Sequence, residues 1–288
     1  EIACWDILGK ERNRPVWALL GGKMNESIRA YSYLYPLENH DLKSFWTSPE
    51  NAAESAYDLV SRGYTALKFD PAGPYTMRGG HQPALSDIEL CVSFMEEIRA
   101  AIGNRADLLL GTHGQFTTSG AIRLGQAIER FNPLWFEEPI PPDNLLEFQK
   151  LARSLKVPIA AGERLTTKYE FATLLRSGGI SILQPALGRA WGIWEMKKTS
   201  AIAEVFNAQM APHLYAGPIE WAANIQLAVS IPNILLLETI ETNFHDELIK
   251  GSIQIDDGYI TAPQGPGLGI EVNEDLARQN PFDGEGLH

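Results

Sequence analysis

The sequence alternates apolar, strand-like runs with amphipathic, helix-like stretches along most of its length. The strand-like runs lie at residues 29–35, 64–69, 107–110, 134–137, 157–161, 180–184, 209–213 and 234–238. The helix-like stretches lie between them at 52–62, 88–102, 120–131, 145–155, 168–177, 195–206 and 220–230. Strands that alternate with helices in this way predict a parallel sheet with right-handed crossovers, and therefore an α/β fold.

Such a sheet can be an open, doubly wound sheet or a closed barrel. A doubly wound sheet that binds nucleotides would carry a glycine-rich phosphate fingerprint after an early strand, and the sequence has none there. Eight strand–helix units in 288 residues instead fit an α/β barrel, which commonly needs about 250 residues. We therefore predict a closed barrel.

Two terminal pieces do not follow the alternation. Residues 1–28 look helical and end near two glycines, whereas residues 252–273 carry turn signals around short apolar pairs. We interpret both as remnants of a second domain packed beside the barrel, which gives three parts: 1–28, 29–240 and 241–288. Because residue 1 falls at the head of a running helix, we expect the chain to be a fragment that lacks N-terminal sequence.

The charge and cysteine content exclude several classes of partner. Lys and Arg number 24 against 36 Asp and Glu, and the net charge of −12 disfavours nucleic acid and anionic membrane surfaces. No apolar run reaches the roughly 18 residues of a membrane span. Two cysteines form no disulfide framework and suit a reducing cytoplasm. We expect a cytoplasmic protein without a nucleic-acid or membrane partner.

Ionisable side chains stand at the carboxyl ends of most predicted strands. In an α/β barrel these ends line the active site. Read in chain order, the ionisable ones are Lys68, Asp70, His113, Glu137, Glu138, Glu163, His213 and Glu238, and the amide side chain of Gln184 stands among them. A scaffold without chemistry would rarely place so many ionisable groups there, so the pattern as a whole predicts an enzyme.

Glu137 and Glu163 close successive predicted strands, so a barrel would place them side by side. Neighbouring carboxylates repel each other unless they share a proton or a cation. Mg²⁺ is typically held by a few carboxylates together with water and substrate. The alternative is that each glutamate caps the following helix or pairs with a basic residue such as Arg164. The pair at adjacent strand ends favours a Mg²⁺ site, in which Mn²⁺ can substitute.

The candidate proton-transfer groups are two histidines and a lysine. A histidine can give or take a proton near neutral pH, and His113 and His213 close opposite sides of the predicted barrel. Lys68 is either a core-edge lysine, a cation beside a substrate carboxylate, or a base with a depressed pKa. Candidate substrate-binding residues near the same mouth are His81 in the glycine-rich loop 79–83, Arg164 and Gln184.

These residues together suggest a metal that holds a carboxylate substrate. The metal would stabilise the enediolate formed when a base removes the proton α to the carboxylate. No Ser or Cys lies in a recognisable nucleophile elbow, so covalent hydrolysis is poorly supported.

The chain resembles the mandelate racemase branch of the enolase superfamily over nearly its whole length. The segments that carry the resemblance are WDILGK (5–10), PVWALLGG (15–22), WFEEP (135–139), AGER (161–164), GISILQP (179–185), APH (211–213) and PGLGI (266–270). The resemblance implies a modified TIM barrel, (β/α)7β, with remnants of an α+β capping domain at 1–28 and 241–288. It also implies that Glu137 and Glu163 are metal ligands, that His213 is a general acid/base, and that Glu238 helps to stabilise the intermediate.

Three departures from the family pattern affect the predicted site. The Asp ligand usual at the end of the third strand is Gly111 here, so the third ligand is His113, Asp70 or water. The Asp that usually orients the seventh-strand His is Ala186. The Lys-x-Lys of the racemases reads KFD (68–70), so a carboxylate replaces the base lysine and racemisation by that lysine is not expected.

Within the branch, the chain is most similar to sugar-acid enzymes. Galactonate dehydratases share the third-strand His and the seventh-strand Pro-His, and 3,6-anhydro-galactonate cycloisomerases are more similar still at GTHG (111–114). We expect removal of the proton α to the carboxylate, followed by departure of a β-oxygen. A ring ether makes the reaction a cycloisomerisation, which is the leading hypothesis, and a hydroxyl makes it a dehydration.

The two reactions assign the proton-transfer groups differently. For a cycloisomerase we expect Lys68 and His213 to transfer protons with His113 beside the metal. For a dehydratase we expect His213 as base and His113 as acid. A barrel that binds sugar acids without turnover, and a structural subunit of an assembly, are the non-enzymatic alternatives. The expected partners are a small-molecule sugar acid and further copies of the chain in a homo-oligomer.

Overall fold

The computed structural model describes residues 1–72 and 80–281. Gly79 of the predicted glycine-rich loop, and residues 282–288 of the predicted C-terminal segment, lie outside these ranges.

Eight parallel strands form the centre of the molecule. They are β1 (Ser27–Tyr33), β2 (Ala66–Phe69), β3 (Asp107–Gly111), β4 (Trp135–Glu137), β5 (Ile159–Ala161), β6 (Ile182–Leu183), β7 (Gln209–Met210) and β8 (Leu237–Thr239). Neighbours in the chain pair in parallel from β1 to β7, and β8 pairs with β1. Between β7 and β8, Met210 and Ile234 form one isolated parallel bridge. All eight predicted strands are confirmed, as is the α/β barrel class.

Seven long helices connect these strands, as the alternation predicted. They are α4 (Pro49–Ser61), α5 (Leu85–Ile102), α6 (Thr118–Ile128), α7 (Leu145–Ser154), α8 (Lys168–Arg176), α9 (Ile193–Val205) and α10 (Pro218–Ala228). Capping residues fix where two of these helices begin. At α4, Ser48 accepts a hydrogen bond from the backbone N–H of Asn51, and at α8, Thr167 forms a capping box with Glu170. The other helices are α1 (Ile2–Arg12), α2 (Val16–Leu19), α3 (Leu42–Phe45), α11 (Asn243–Leu248) and α12 (Glu274–Gln279), with a 3-10 turn at Glu129–Phe131. None of the described helices is both long and apolar enough to cross a membrane.

The apolar core has two parts, one between the strands and the outer helices and one inside the barrel. The inner part takes one buried residue from each strand or its immediate flank: Tyr31, Ala66, Leu109, Trp135, Ala160, Ile182, Ala211 and Leu236. A filled interior of this kind makes the barrel a packed core rather than a pore, so ligands can bind only above it.

The two terminal pieces contact each other beside the barrel. Pro15 bridges Gly267, and the backbone N–H of Leu268 donates to Asp6 Oδ1 at 2.9 Å. A hairpin of β9 (Ile255–Asp256) and β10 (Tyr259–Thr261) pairs antiparallel with the beginning of β1. The two pieces therefore lie together beside the barrel, and their interpretation as remnants of a second domain stays a prediction. The exact domain boundaries stay a prediction, and β1 begins at Ser27, just before the predicted barrel boundary.

Candidate active site

One strand-end layer of side chains stands directly above the apolar filling of the barrel. Side chains alternate between the two faces of a strand, so the residue two positions after each inner core residue faces the same interior. That second layer is Tyr33, Lys68, Gly111, Glu137, Gly162, Gln184, His213 and Glu238. The polar residues are therefore held at the mouth by the same strands that fill the core.

A cavity of about 630 Å³ opens above this layer. Its lining includes five predicted site residues: Asp70, His113, Glu163, His213 and Glu238. The rest of the lining is largely aromatic or charged: Tyr33, Tyr35, Trp46, Ala186, Arg189, Tyr215, Ala216 and Glu220.

Lys68 forms the floor of the site as a buried cation between two carboxylates. Its Nζ donates to Glu137 Oε1 and lies 3.4 Å from Glu238 Oε1, and all three side chains are almost completely buried. Burial lowers the pKa of Lys68, but the charges of Glu137 and Glu238 outweigh it and hold this pKa well above its ordinary value. This direction favours Lys68 as a permanent cation over Lys68 as a base with a depressed pKa.

Glu137, Glu163 and His213 form the candidate metal site. Each offers one ligand atom, and these atoms lie within 4.8 Å of one another. Oε2 of Glu163 is buried and has no hydrogen-bond partner among the described residues. A buried carboxylate oxygen without a hydrogen bond is costly, and a hard divalent cation is a partner that suits it. The donor set therefore fits Mg²⁺.

Gln184 and Trp135 orient the Glu137 ligand. The Gln184 Nε2 and Trp135 Nε1 groups donate to Glu137 Oε2 at 2.8 and 2.9 Å. These two donors leave Oε1 to Lys68 and fix the plane of the carboxylate. Gln184 is thus buried beneath the cavity, and its predicted contact with substrate remains a prediction.

His213 lies between two carboxylates. Its Nδ1 is 3.3 Å from Glu238 Oε2 and 3.5 Å from Glu163 Oε2. Burial lowers the pKa of His213, but the charges of Glu238 and Glu163 raise it by more than burial lowers it. The net pKa therefore lies above the ordinary histidine value. Ala186, where the family pattern has an orienting Asp, forms a backbone bridge with His213. Glu238 therefore supplies from β8 the carboxylate that β6 lacks.

His113 pairs with Asp70 on another side of the cavity. Its Nδ1 lies 2.8 Å from Asp70 Oδ2. Burial lowers the pKa of His113, but the hydrogen bond and charge of Asp70 raise it more, so the net pKa is raised. Arg164 donates to the backbone carbonyl of His113, which makes it a support for the loop after β3. Its predicted contact with substrate stays a prediction.

Glu138 is a buried carboxyl that the sequence analysis placed at a strand end but gave no role in the site. It takes a left-handed backbone conformation with φ 42°, and its Oε1 accepts a hydrogen bond of 2.7 Å from the backbone N–H of Gly162. Burial first, and the nearby Glu163 charge second, raise the pKa of Glu138 to about 7. Glu138 ties β4 to the turn that carries Glu163.

The raised pKa of Glu138 predicts that stability falls as pH rises. Between the ordinary glutamate pKa of 4.5 and the raised pKa of about 7, the folded protein keeps a proton that the unfolded chain releases. Without divalent cations, ionisation of Glu138 should lower the free energy of unfolding by about 3 kcal/mol as the pH rises through this range. Urea unfolding at pH 5 and pH 7.5 measures the slope, which Glu138→Gln should reduce and the exposed control Glu96→Gln should not. Parallel pH curves for wild type and Glu138→Gln would contradict this prediction.

The remaining predicted residue, His81, lies near the ring of Phe116, with ring centroids 5.2 Å apart. It is not among the residues that line the cavity in the described part of the chain. Its role toward substrate stays a prediction.

Sequence reasoning missed part of the cavity wall. Tyr33 ends β1. The rule that residues at the carboxyl ends of barrel strands line the site (the strand-end rule) would have found it if it had been applied to that strand. Trp46, Arg189 and Glu220 come from segments outside the strands, where no local pattern marks them. Nη1 of Arg189 donates to the backbone carbonyl of Glu163 at 3.1 Å, so the arginine supports the turn that bears a candidate ligand.

Comparison with known proteins gives consistent matches over the whole chain. The family described as enolase C-terminal domain-like matches residues 51–276. A D-gluconate/D-galactonate dehydratase of Picrophilus torridus is 37% identical over 287 residues, covering 99% of this chain and 70% of that protein. A D-xylonate dehydratase of Haloferax volcanii is 32% identical over 294 residues, covering 100% of this chain and 69% of that protein. The solved structure of a mandelate racemase/muconate lactonizing enzyme-like protein from Roseovarius has a TM-score of 0.98 and 70% identity, covering 100% of this chain and 73% of that one.

Proposed function

The chain belongs to the enolase superfamily, in its mandelate racemase/muconate lactonizing enzyme branch, and from this premise we propose that it is a Mg²⁺-dependent sugar-acid dehydratase. Such an enzyme removes the proton α to the carboxylate and expels a hydroxyl from the β-carbon. The observation that carries the proposal is the juxtaposition of Glu137, Glu163 and His213 at the base of a cavity that His113 also lines.

Glu137 and Glu163 would hold the metal, with further positions left to water and to substrate oxygens, as Mg²⁺ prefers. When bound, Mg²⁺ would supply positive charge where negative charge develops on the substrate carboxylate. The third protein ligand stays a prediction. His213 offers one ring nitrogen to the same group, but we assign this residue to proton transfer in agreement with the family resemblance.

The two histidines divide the proton transfers of an elimination. His213 takes the proton from the α-carbon, and the electron pair of that C–H bond forms the new double bond. The β-carbon–oxygen bond breaks, and His113 gives a proton to the departing hydroxyl, which leaves as water. The enol that remains takes up a proton at the β-carbon and loses one from its oxygen, giving a keto acid. Both histidines then exchange protons with solvent and return to their starting states.

A cycloisomerase that opens an anhydro-aldonate ring remains the alternative. It uses the same α-proton removal, but the leaving oxygen stays attached to the product. The wall formed by Tyr35, Trp46 and Tyr215 favours this alternative, because aromatic side chains suit the flat, less polar face of a ring. The two reactions differ in product and not in the first step.

The first experiment combines sugar acids with the Mg²⁺-loaded protein in deuterium oxide. D-galactonate, D-gluconate, D-xylonate and 3,6-anhydro-galactonate are each followed by NMR for α-proton exchange and for product. A keto acid formed with loss of water supports the dehydratase, and a ring-opened isomer supports the cycloisomerase. Binding without exchange or product would leave a sugar-acid-binding barrel as the better account.

His213→Asn tests the proton-transfer assignment. We expect turnover and α-proton exchange to fall at least about 100-fold, because general acid–base catalysis contributes about 10²–10⁴-fold. Mg²⁺ affinity measured by calorimetry should stay unchanged. A loss of Mg²⁺ affinity that matches the loss of turnover would make His213 a ligand instead of a base.

The proposed function also suits a cytoplasmic metabolic enzyme. Homo-oligomerisation stays a prediction that light scattering of the purified protein can check.

A further inference from the structure

We propose that Asp70 is the positioning residue of His113, and that the missing side chain at Gly111 is what allows this pair to form. This inference rests on the proposed function only where turnover is measured. It changes the role expected for Asp70 from a metal ligand to the partner of a proton-transfer histidine.

The register of two neighbouring strands brings Asp70 above Gly111. Phe69 of β2 pairs with Leu110 of β3, so the next residues along both strands, Asp70 and Gly111, are also adjacent. A Cβ added to Gly111 would collide with Asp70 Oδ1 and would lie 3.1 Å from Tyr33 Oη. The carboxylate of Asp70 therefore occupies the space that a side chain on β3 would need.

In this position both carboxylate oxygens of Asp70 already contact a neighbouring side chain. Its Oδ2 lies 2.8 Å from Nδ1 of His113, and its Oδ1 accepts a hydrogen bond of 3.4 Å from Tyr33 Oη. Asp70 is also not part of the metal-binding group found among the described residues, which consists of Glu137, Glu163 and His213. A carboxylate at Nδ1 keeps the proton on that nitrogen and makes Nε2 the one that exchanges protons.

The backbone around His113 is fixed for one orientation of the ring. His113 has φ 52°, in the left-handed region that a non-glycine residue rarely adopts. The Thr112 hydroxyl lies within 2.9 Å of the backbone carbonyls of both Glu137 and Glu138, and Arg164 donates to the His113 carbonyl. The ends of β4 and β5 therefore hold the backbone, and Asp70 adds the remaining constraint on the ring.

The cavity then contains two histidine–carboxylate pairs in place of one. His213 has Glu238 from β8, and His113 has Asp70 from β2. Neither pair uses the strand-six position, which is Ala186. One pair can serve the α-carbon and the other the leaving oxygen, which an elimination requires.

Asp70→Asn tests the assignment because it keeps the shape of the side chain and removes the charge. We expect kcat to fall about 100-fold with KM nearly unchanged, since orientation matters only once proton transfer begins. Mg²⁺ affinity should be unchanged by calorimetry, and Asp58→Asn, a half-buried carboxylate that does not line the cavity, serves as the control for loss of charge.

A readout without substrate separates this inference from the proposed function. Long-range ¹H–¹⁵N correlation spectra of histidine-labelled protein report which ring nitrogen carries the proton, and a His113→Gln variant assigns the signal. Wild type should show the Nδ1-protonated form of neutral His113, and Asp70→Asn should lose this preference. This result stands even if no sugar acid is turned over.

Gly111→Ala provides a second variant in which Asp70 remains present. The added methyl group should push the carboxylate away from His113 and reproduce both the spectral change and the loss of kcat. Gly217→Ala is the matched control, because a Cβ there meets nothing within 4 Å. Loss of Mg²⁺ binding in Asp70→Asn, or an unchanged His113 signal in both variants, would overturn the proposal.

Discussion

Replacing Lys68 with Met is expected to destabilise the folded protein by about 3–5 kcal/mol, because it leaves two buried carboxylates without their cation. Lys68 is fully buried, contacts Glu137 and lies 3.4 Å from Glu238. Methionine matches the length of the lysine stem, so the loss reports the charge more than the packing. The measurement is the free energy of unfolding in urea, without divalent cations.

The pH dependence of this loss has a defined sign. Without Lys68, the pKa values of the two glutamates rise, so the folded state binds a proton that the unfolded chain releases. The destabilisation should therefore be larger at pH 8 than at pH 5, and bound Mg²⁺ should offset part of it.

Lys197→Met is the matched control for the loss of a lysine. Its Nζ donates to the carbonyl of Ser230 at 2.9 Å, so its replacement should cost about 1 kcal/mol. If Lys68→Met is no less stable than Lys197→Met, the buried cation at the floor of the site is not needed for folding.

Glu163→Gln is expected to abolish saturable Mg²⁺ binding and to lower turnover at least about a thousandfold. A metal that polarises a carboxylate contributes several kcal/mol to the transition state, and a neutral amide at Glu163 removes half of the carboxylate pair that holds it. Calorimetry with Mg²⁺ and with Mn²⁺ measures binding directly, and product formation measures turnover.

The Glu163→Gln result is interpretable because the two side chains have nearly the same shape. Glu96→Gln, which removes an exposed carboxylate paired with Arg130, controls for the change in net charge. Undiminished Mg²⁺ affinity in Glu163→Gln would contradict the assigned metal site, and Glu137→Gln would then be tested for the same loss.

Much of the fold could be predicted because its signals are local. Apolar runs with the spacing of strands, and amphipathic runs with the spacing of helices, recur in one order along the chain, and each is visible within about ten residues. The strand-end rule located Glu163, His113, His213 and Glu238, all of which line the cavity. It also located Lys68 and Glu137, which the structure places in the floor beneath.

The orientation of the predicted substrate contacts was harder to predict. Gln184 follows β6 with a side chain that turns inward to Glu137, and Arg164 turns to the carbonyl of His113. Position at a strand end gives the face of the sheet for a residue, but the partner depends on what the neighbouring strands present. A buried donor bonds to the nearest acceptor, and that acceptor is far away in sequence.

The sequence by itself determined the barrel, the family and the set of polar residues at the carboxyl ends of the strands, because strand and helix periodicities and short motifs are properties of neighbouring residues. Only the tertiary structure decided how those residues are paired. Asp70 fills the space above Gly111, and Glu238 stands beside His213 where Ala186 offers no carboxylate. These pairs join residues about 25 to 43 positions apart, and their contacts depend on the register between strands, which no local pattern specifies.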